Sequence, residues 1–189
     1  MKIVTARLQL REFIISDLDA LTTCMTPSEM RQFEKGLPDR DSVQVFLEQI
    51  IQKATEKPRN LYCLAITVPP ADHVVGYISL KYQNPEIREW EIGWAIRMED
   101  WRKGYASEAA GGMLDFAFQV LDAHRVVAFC HADNMASARV MKKIGMKQEG
   151  HLRQTRWFNE CWADELVFAT LKSENGKQDH HNQWQFINA

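Results

Sequence analysis

Apolar and polar positions alternate from Thr5 to Phe13, with Leu8 and Leu10 set against Arg7, Gln9 and Arg11, and this period of two predicts a first strand. Ser16-Asp17 offers an N-cap before Leu18, Ala20 and Leu21. Pro27, Gly36 and Pro38 then punctuate a long connection. From Asp41-Ser42 the period changes. Val43, Phe46, Leu47, Ile50, Ile51 and Ala54 recur at three- and four-residue steps, the signature of one helix face, and Lys57-Pro58 ends it. The apolar run from Leu61 to Val68 fits a buried strand, Pro69-Pro70-Ala71-Asp72 a turn, and Val74 to Tyr82 its antiparallel partner.

The second half repeats the two periods. Trp90, Ile92, Trp94 and Ile96 share one strand face, with Glu91, Gly93, Ala95 and Arg97 on the other. After Trp101-Arg102-Lys103-Gly104, the positions Ala106, Ala109, Ala110, Met113, Leu114, Ala117 and Leu121 mark a helix. Arg125 to His131 is rich in strand formers. Asn134 fits the cap of a further helix running to Ile144, with Gly145 at its C-terminal stop. Gln148 to Arg156 and Cys161 to Leu171 form a closing antiparallel pair. Residues 172–189 are polar and lack a period, which predicts a loosely held tail. A strand, loop, helix and strand between Glu91 and His131 require a parallel crossover. The predicted fold is α/β (α+β): one domain over residues 1–171, built on a mixed sheet with helices on its faces.

Composition narrows the class. A chain of 189 residues with 46% hydrophobic and 25% charged residues matches an ordinary globular domain. Lys and Arg number 23 against 25 Asp and Glu, a net charge of -2, which argues against nucleic acid as a partner. Cys24, Cys63, Cys130 and Cys161 lack metal-ligand spacing and read as reduced thiols, so no metal site is expected. No leader pattern or membrane-length apolar run is present, so a cytoplasmic protein is expected.

The chemistry concentrates in the loop Trp101-Arg102-Lys103-Gly104-Tyr105-Ala106. It lies between a strand and a helix, where unpaired helical N–H groups and the helix dipole favour an anion. Gly104 permits close backbone approach, Ala106 keeps the next position small, and Arg102 and Lys103 add positive charge. An ordinary turn with two solvated bases fits the same residues.

Around this loop stand Glu91-Ile92-Gly93-Trp94, Ser107-Glu108-Ala109, Asn134-Met135-Ala136-Ser137, Lys142-Lys143-Ile144-Gly145-Met146 and Trp162-Ala163-Asp164-Glu165, with Thr5-x-Arg7-Leu8-x-Leu10-Arg11 at the start. Taken together, in this order and at this spacing, the sequence resembles the GNAT acetyltransferases, in particular their RimJ/RimL-type branch, from about Thr5 to about Leu171. The resemblance implies a twisted, mostly antiparallel sheet whose one parallel strand pair splays apart. It implies acetyl-CoA as co-substrate and an amine as acceptor. The amides of Arg102, Lys103, Gly104, Tyr105 and Ala106 would cradle the pyrophosphate, with the Ser107 hydroxyl adding a contact or capping its own helix.

By the same resemblance, the backbone of Trp94, Ala95 and Ile96 would pair with pantetheine. Asn134 would touch the pantetheine arm, a role that competes with capping. Ser137 would lie near the thioester sulfur, or stand as a plain surface hydroxyl. Other members use a tyrosine near the position of Met141, which is lacking here. Glu91 is the candidate base, its alternative being a salt bridge with Arg88 or Arg125; Glu160, Asp164 and His131 are weaker candidates. Phe33, Trp157, Phe158 and Trp162 suggest an aromatic wall for the acceptor, and Glu34, Glu160 and Asp164 an attraction for its charge. A protein or peptide N-terminal amine is the acceptor expected of this branch. A small amine (an amino acid, polyamine or antibiotic) and a non-catalytic acyl-CoA sensor are the alternatives, with a monomer or homodimer as the assembly.

Overall fold

The computed structural model describes residues 1–33, 36, 38–158, 160–175 and 185–187, with the backbone alone at Met30, Arg31, Phe158 and Phe186. Its strands are β1 (Lys2–Val4), β2 (Gln9–Glu12), β3 (Leu61–Val68), β4 (His73–Asn84), β5 (Glu89–Ile96), β6 (Arg125–His131), β7 (Lys147–Phe158), β8 (Cys161–Leu171) and β9 (Gln185–Ile187). They form one sheet in the order β7-β8-β6-β5-β4-β3-β2-β1-β9. The β5–β6 pair is parallel and every other neighbour is antiparallel. The mixed, mostly antiparallel sheet expected from the sequence is therefore present.

Two helix layers cover the sheet. On one face, α1 (Leu18–Met25) and α2 (Arg40–Lys53) bury Leu21, Val43, Leu47 and Ile50 against Cys63, Ala65 and Val74. On the other, α3 (Tyr105–Gln119) and α4 (Met135–Lys143) bury Ala109, Ala110, Met113, Ala117, Ala138 and Met141 against Leu64, Ile66, Ile78, Ile92 and Phe168. β3 is sandwiched between both layers, which is why its apolar run is unbroken rather than alternating. α2 starts one residue before the expected Asp41: Asp39 caps it, its Oδ1 accepting the Ser42 N–H at 2.8 Å.

Of the expected first strand, Thr5 to Phe13, only Gln9–Glu12 is strand, and the strand it pairs with, Lys2–Val4, lies before Thr5. Thr5 turns the chain back: its Oγ1 accepts the Leu8 N–H at 3.1 Å, and its own N–H donates to the Leu8 carbonyl at 2.9 Å. Alternation continues through this reversal, so the period alone hides it. Ser16-Asp17 does not cap α1 with a side chain; a 3-10 turn, Ile15–Asp17, leads into it, and Asp17 holds Arg11 at 2.8 and 2.9 Å. Of the expected tail, Gln185–Ile187 returns to pair with β1, while residues 176–184 and 188–189 lie outside the described residues.

Candidate active site

β5 and β6 pair over three residues only, Glu89 with Arg125, Trp90 with Val126 and Glu91 with Val127. Beyond them β5 stays with β4 as far as Ile96, and β6 stays with β8 as far as His131. The two strands part, and a gap opens in the sheet with Glu91 at its apex. The Arg97 N–H donates to the Val75 carbonyl at 2.9 Å, which fixes the antiparallel alternation along β5. Odd-numbered residues bond to β4, and the amides and carbonyls of Trp94 and Ile96 face the gap. The Ala95 backbone turns into the β4 ladder opposite Tyr77, so the pairing edge expected of Trp94, Ala95 and Ile96 narrows to the first and last. The Trp101 indole N–H reaches back to the Ile96 carbonyl at 2.6 Å and ties the next loop to this edge.

That loop has an unusual backbone. Arg102 has φ +63° and Gly104 φ +82°, a left-handed pair separated by one residue that turns successive N–H groups inward. The first intrahelical bond of α3 is Glu108 N–H to Gly104 at 3.1 Å. Among the described residues, no acceptor meets the amides of Arg102, Lys103, Gly104, Tyr105, Ala106 or Ser107. Six consecutive donors at a helix N-terminus fit a pyrophosphate. The Ser107 hydroxyl gives its proton to the Gly104 carbonyl at 2.9 Å, a bond back to the preceding turn that caps no N–H, so only its amide is left for an anion. Lys103 pairs with Asp100 at 2.7 Å, and Asp100 also holds Arg97. Burial pushes the Asp100 carboxyl up, but the hydrogen bonds from Lys103 and Arg97 outweigh it and hold it below the usual value.

A clamp that the sequence does not reveal holds the loop from behind. Glu108, 8% exposed, accepts from Thr5 Oγ1 at 2.6 Å, from the Arg7 N–H at 2.7 Å and from Arg7 Nε at 2.7 Å. Arg7 lies over the Tyr105 ring, 5.2 Å from its centre, and donates to the Lys103 carbonyl at 3.0 Å. Thr5, Arg7, Leu8, Leu10 and Arg11 are thereby explained as framework. The first two grip Glu108, the leucines are fully buried, and Arg11 holds Asp17. Arg7, Gly104, Ser107, Glu108, Gly111, Lys143 and Ile144 also line a surface cavity beside the loop.

On the β6 side, Asn134 Oδ1 accepts the Ser137 N–H at 3.0 Å and caps α4. Its amide nitrogen meets no described residue, so capping and ligand contact do not compete: they use opposite ends of one carboxamide. The Ser137 hydroxyl is half-buried and has no hydrogen-bond partner among the described residues. Met141 is 2% exposed in the core.

Glu91 faces the α1/α2 side with Gly93 and Ala95, because Trp90 and Ile92 pack on the α3 side. The ion pair suggested as its alternative is absent. Arg125 pairs with Glu89 and Glu149, both at 2.6 Å, Arg88 pairs with Asp122 at 2.7 Å, and Glu91 accepts from the Gln83 side-chain amide. His131 and Phe129 share this face by alternation. His131 Nδ1 accepts the Asp133 N–H at 3.1 Å, and its ring lies 5.1 Å from Phe33. Asp164 is occupied: it accepts the Gln154 N–H at 2.9 Å and pairs with His151 at 2.7 Å, bonds that hold its carboxyl low and fill a bulge in β7. Trp157 and Trp162 stack edge to face at 5.1 Å, but alternation sets them with Asp164 and Leu166 on the opposite face from Glu91. Glu34 lies outside the described residues, as does the side chain of Phe158; Glu160 sits in the β7–β8 turn with φ +61°.

Residues 7–147 match the family model described as acetyltransferase (GNAT) domain. The chain is 32% identical to the uncharacterized N-acetyltransferase YnaD of Bacillus subtilis over 92% of this chain and 99% of that one. An acetyltransferase (GNAT family) structure from Bacillus anthracis superposes with a TM-score of 0.82 at 28% identity, covering 92% of this chain and all of the other. The fold is shared more distantly with the ribosomal-protein-S5-alanine acetyltransferase of Vibrio fischeri (TM-score 0.80, 16% identity, 92% and 98% covered). It is shared too with the spermidine N-acetyltransferase of Vibrio cholerae, solved with CoA and spermine (TM-score 0.77, 19% identity, 89% and 98% covered).

Proposed function

Because the chain belongs to the GNAT acetyltransferase family, we propose that it carries the acetyl group of acetyl-CoA directly to a protein or peptide N-terminal amine in the cytoplasm. The observation that carries this reading is the continuity of two features. The Trp94–Ile96 backbone edge opens on a gap, and the run of unpartnered amides from Arg102 to Ser107 begins just beyond it. The amides hold the pyrophosphate of the co-substrate, the edge and the Asn134 carboxamide hold its pantetheine, and the thioester comes to the apex of the gap.

An α-amine titrates near pH ~8 and attacks only when neutral. Glu91 takes its proton, directly or through water. The new C–N bond forms on the thioester carbonyl while a gap-facing N–H of β5 steadies the oxyanion. The C–S bond then breaks, and the nitrogen's second proton passes to the departing sulfur through the Ser137 hydroxyl, which gives up one proton, takes back another and ends unchanged. No buried thiol takes part. Burial pushes Cys24 up to about 11, Cys63 to about 12 and Cys130 to about 11, far from a thiolate at neutral pH. For a peptide rather than an enclosed small amine speaks the sheet face beyond α1 and α2, where Phe129 and Leu152 lie 40% and 38% exposed. Such an open strip admits the extended residues that follow an N-terminus.

The test follows free thiol release from acetyl-CoA with N-terminal peptides, spermidine and free amino acids. Peptide-dependent release is expected, and Glu91→Gln lowers kcat by roughly 10²-fold with CoA affinity kept. Preference for spermidine or an amino acid overturns the acceptor. A Glu91→Gln variant with the parent rate and pH profile overturns the base.

A further inference from the structure

Arg125 opens β6 at the point where the parallel pair is still closed. Its guanidinium serves three strands at once. Nε donates to Glu89 of β5 at 2.6 Å, and the two terminal nitrogens donate to Glu149 of β7 at 2.8 and 2.6 Å. Glu149 is aimed across the end of β8 by a register shift in β7 between Gln148 and Gly150. Arg125 and Glu89 are each 19% exposed, so the pair is partly screened from water. Glu89 lies two residues before Glu91 on the same strand face, and the last closed pair, Glu91 with Val127, is two residues on from the bolt. Every neighbouring strand contact continues far past this point, so the place where the sheet splits depends on these few residues.

We propose that Arg125 is a positioning residue for acetyl transfer, a three-strand bolt that fixes where β5 and β6 part and therefore where Glu91 stands at the apex of the gap. The bolt lies at the opposite end of the gap from the amide run at Arg102–Ser107, so it acts on the chemistry and not on coenzyme affinity. The inference rests on the proposed role of Glu91. The same guanidinium offsets part of the negative charge of Glu89 and Glu149. Lys81, Gln83 and Ser79 of β4 and His131 of β6 are polar residues on the same sheet face as Glu91.

Arg125→Lys keeps the charge but cannot span both carboxylates in one plane, and Arg125→Met removes the charge as well. Both are assayed well below their melting temperatures, with active sites counted by CoA titration and whichever amine the parent acetylates. Arg125→Lys is expected to lower kcat per CoA-binding site by roughly tenfold, the cost of a sub-ångström misplacement. KM for acetyl-CoA and Kd for CoA stay within about twofold. Arg125→Met loses more, because it leaves Glu89 and Glu149 without their shared partner. Should both variants fail to fold, Glu149→Gln removes one arm of the bolt and is expected to show the same split at smaller size. A parent-like kcat per site with only a lowered melting temperature overturns the proposal. If instead Glu91→Gln is parent-like while Arg125→Lys is slow, the bolt stands and the role of Glu91 falls.

Discussion

Glu108→Gln separates framework from chemistry. Glu108 Oε1 accepts from Thr5 Oγ1 and the Arg7 N–H, and Oε2 accepts from Arg7 Nε and a second guanidinium nitrogen. In the glutamine the carbonyl oxygen can keep the first pair, which leaves an NH2 facing the Arg7 guanidinium, donor against donor. Two charge-assisted hydrogen bonds are lost, each worth about 1.5–3 kcal/mol at face value. Arg7 is 52% exposed, so its guanidinium can turn to water, and the sum is discounted to about 2 kcal/mol. For a chain of this length that is a fall in Tm of roughly 4–8 °C. The same turn of Arg7 releases the Lys103 carbonyl, so the anion loop loses its support and CoA affinity falls roughly five- to tenfold, about 1 kcal/mol. Differential scanning fluorimetry and calorimetric CoA titration measure both. An unchanged Tm with unchanged CoA affinity would refute the clamp. A lowered Tm with unchanged affinity would leave it a fold element without influence on the loop.

Asp100 gives a pH signature. Its carboxyl is held low in the folded state, so its contribution is present above the unfolded value of ~3.9 and is lost as pH falls through the lower folded one. Asp100→Asn is expected to be less stable than the parent at neutral pH, with the difference shrinking below pH ~4; parallel Tm curves across that range contradict it. The thiols give a second test. Three of the four cysteines are buried with raised pKa values and Cys161 is exposed, so Ellman's reagent at neutral pH titrates one thiol in the native protein and four after unfolding. Cys161→Ser removes the native signal. An acetylated cysteine in the mass spectrum during turnover would contradict direct transfer.

Local order was legible where it is locally caused. Leu61–Val68 and Arg125–His131 form strands with the boundaries their composition implies, and the capping carboxamide of Asn134 is where a helix start requires it. What stayed hidden depends on partners distant in the chain. Thr5 and Arg7 meet Glu108 a hundred residues away, and no period or spacing near either end signals that contact. Nothing in the loop's pattern signals the bond from the Trp101 indole to the Ile96 carbonyl. The limit of β5–β6 pairing is a property of two strands together, so the splay came from resemblance and not from pattern. Gln185–Ile187 is three residues in a polar stretch, too short for any periodic signal, and becomes a strand only because β1 presents an edge.

The gap also divides the sheet as a cooperative structure. From β9 through β1, β2, β3 and β4 to β5 the ladder is continuous, and β6, β8 and β7 form a second continuous ladder. Three residue pairs carry the backbone hydrogen bonding between them, while side chains beneath α3 and α4 still pack across the join. Units that open together in hydrogen exchange follow such continuity, so the C-terminal ladder with α4 is a natural subglobal unit. In the proposed binding mode, a co-substrate whose amides bond to the β5 edge while its arm touches α4 would link both units. Its binding energy would then also be energy of cohesion between the two halves. The interval proposed to admit the reagent is also where the fewest backbone pairs join the two ladders, so occupancy would be expected to slow exchange in both together.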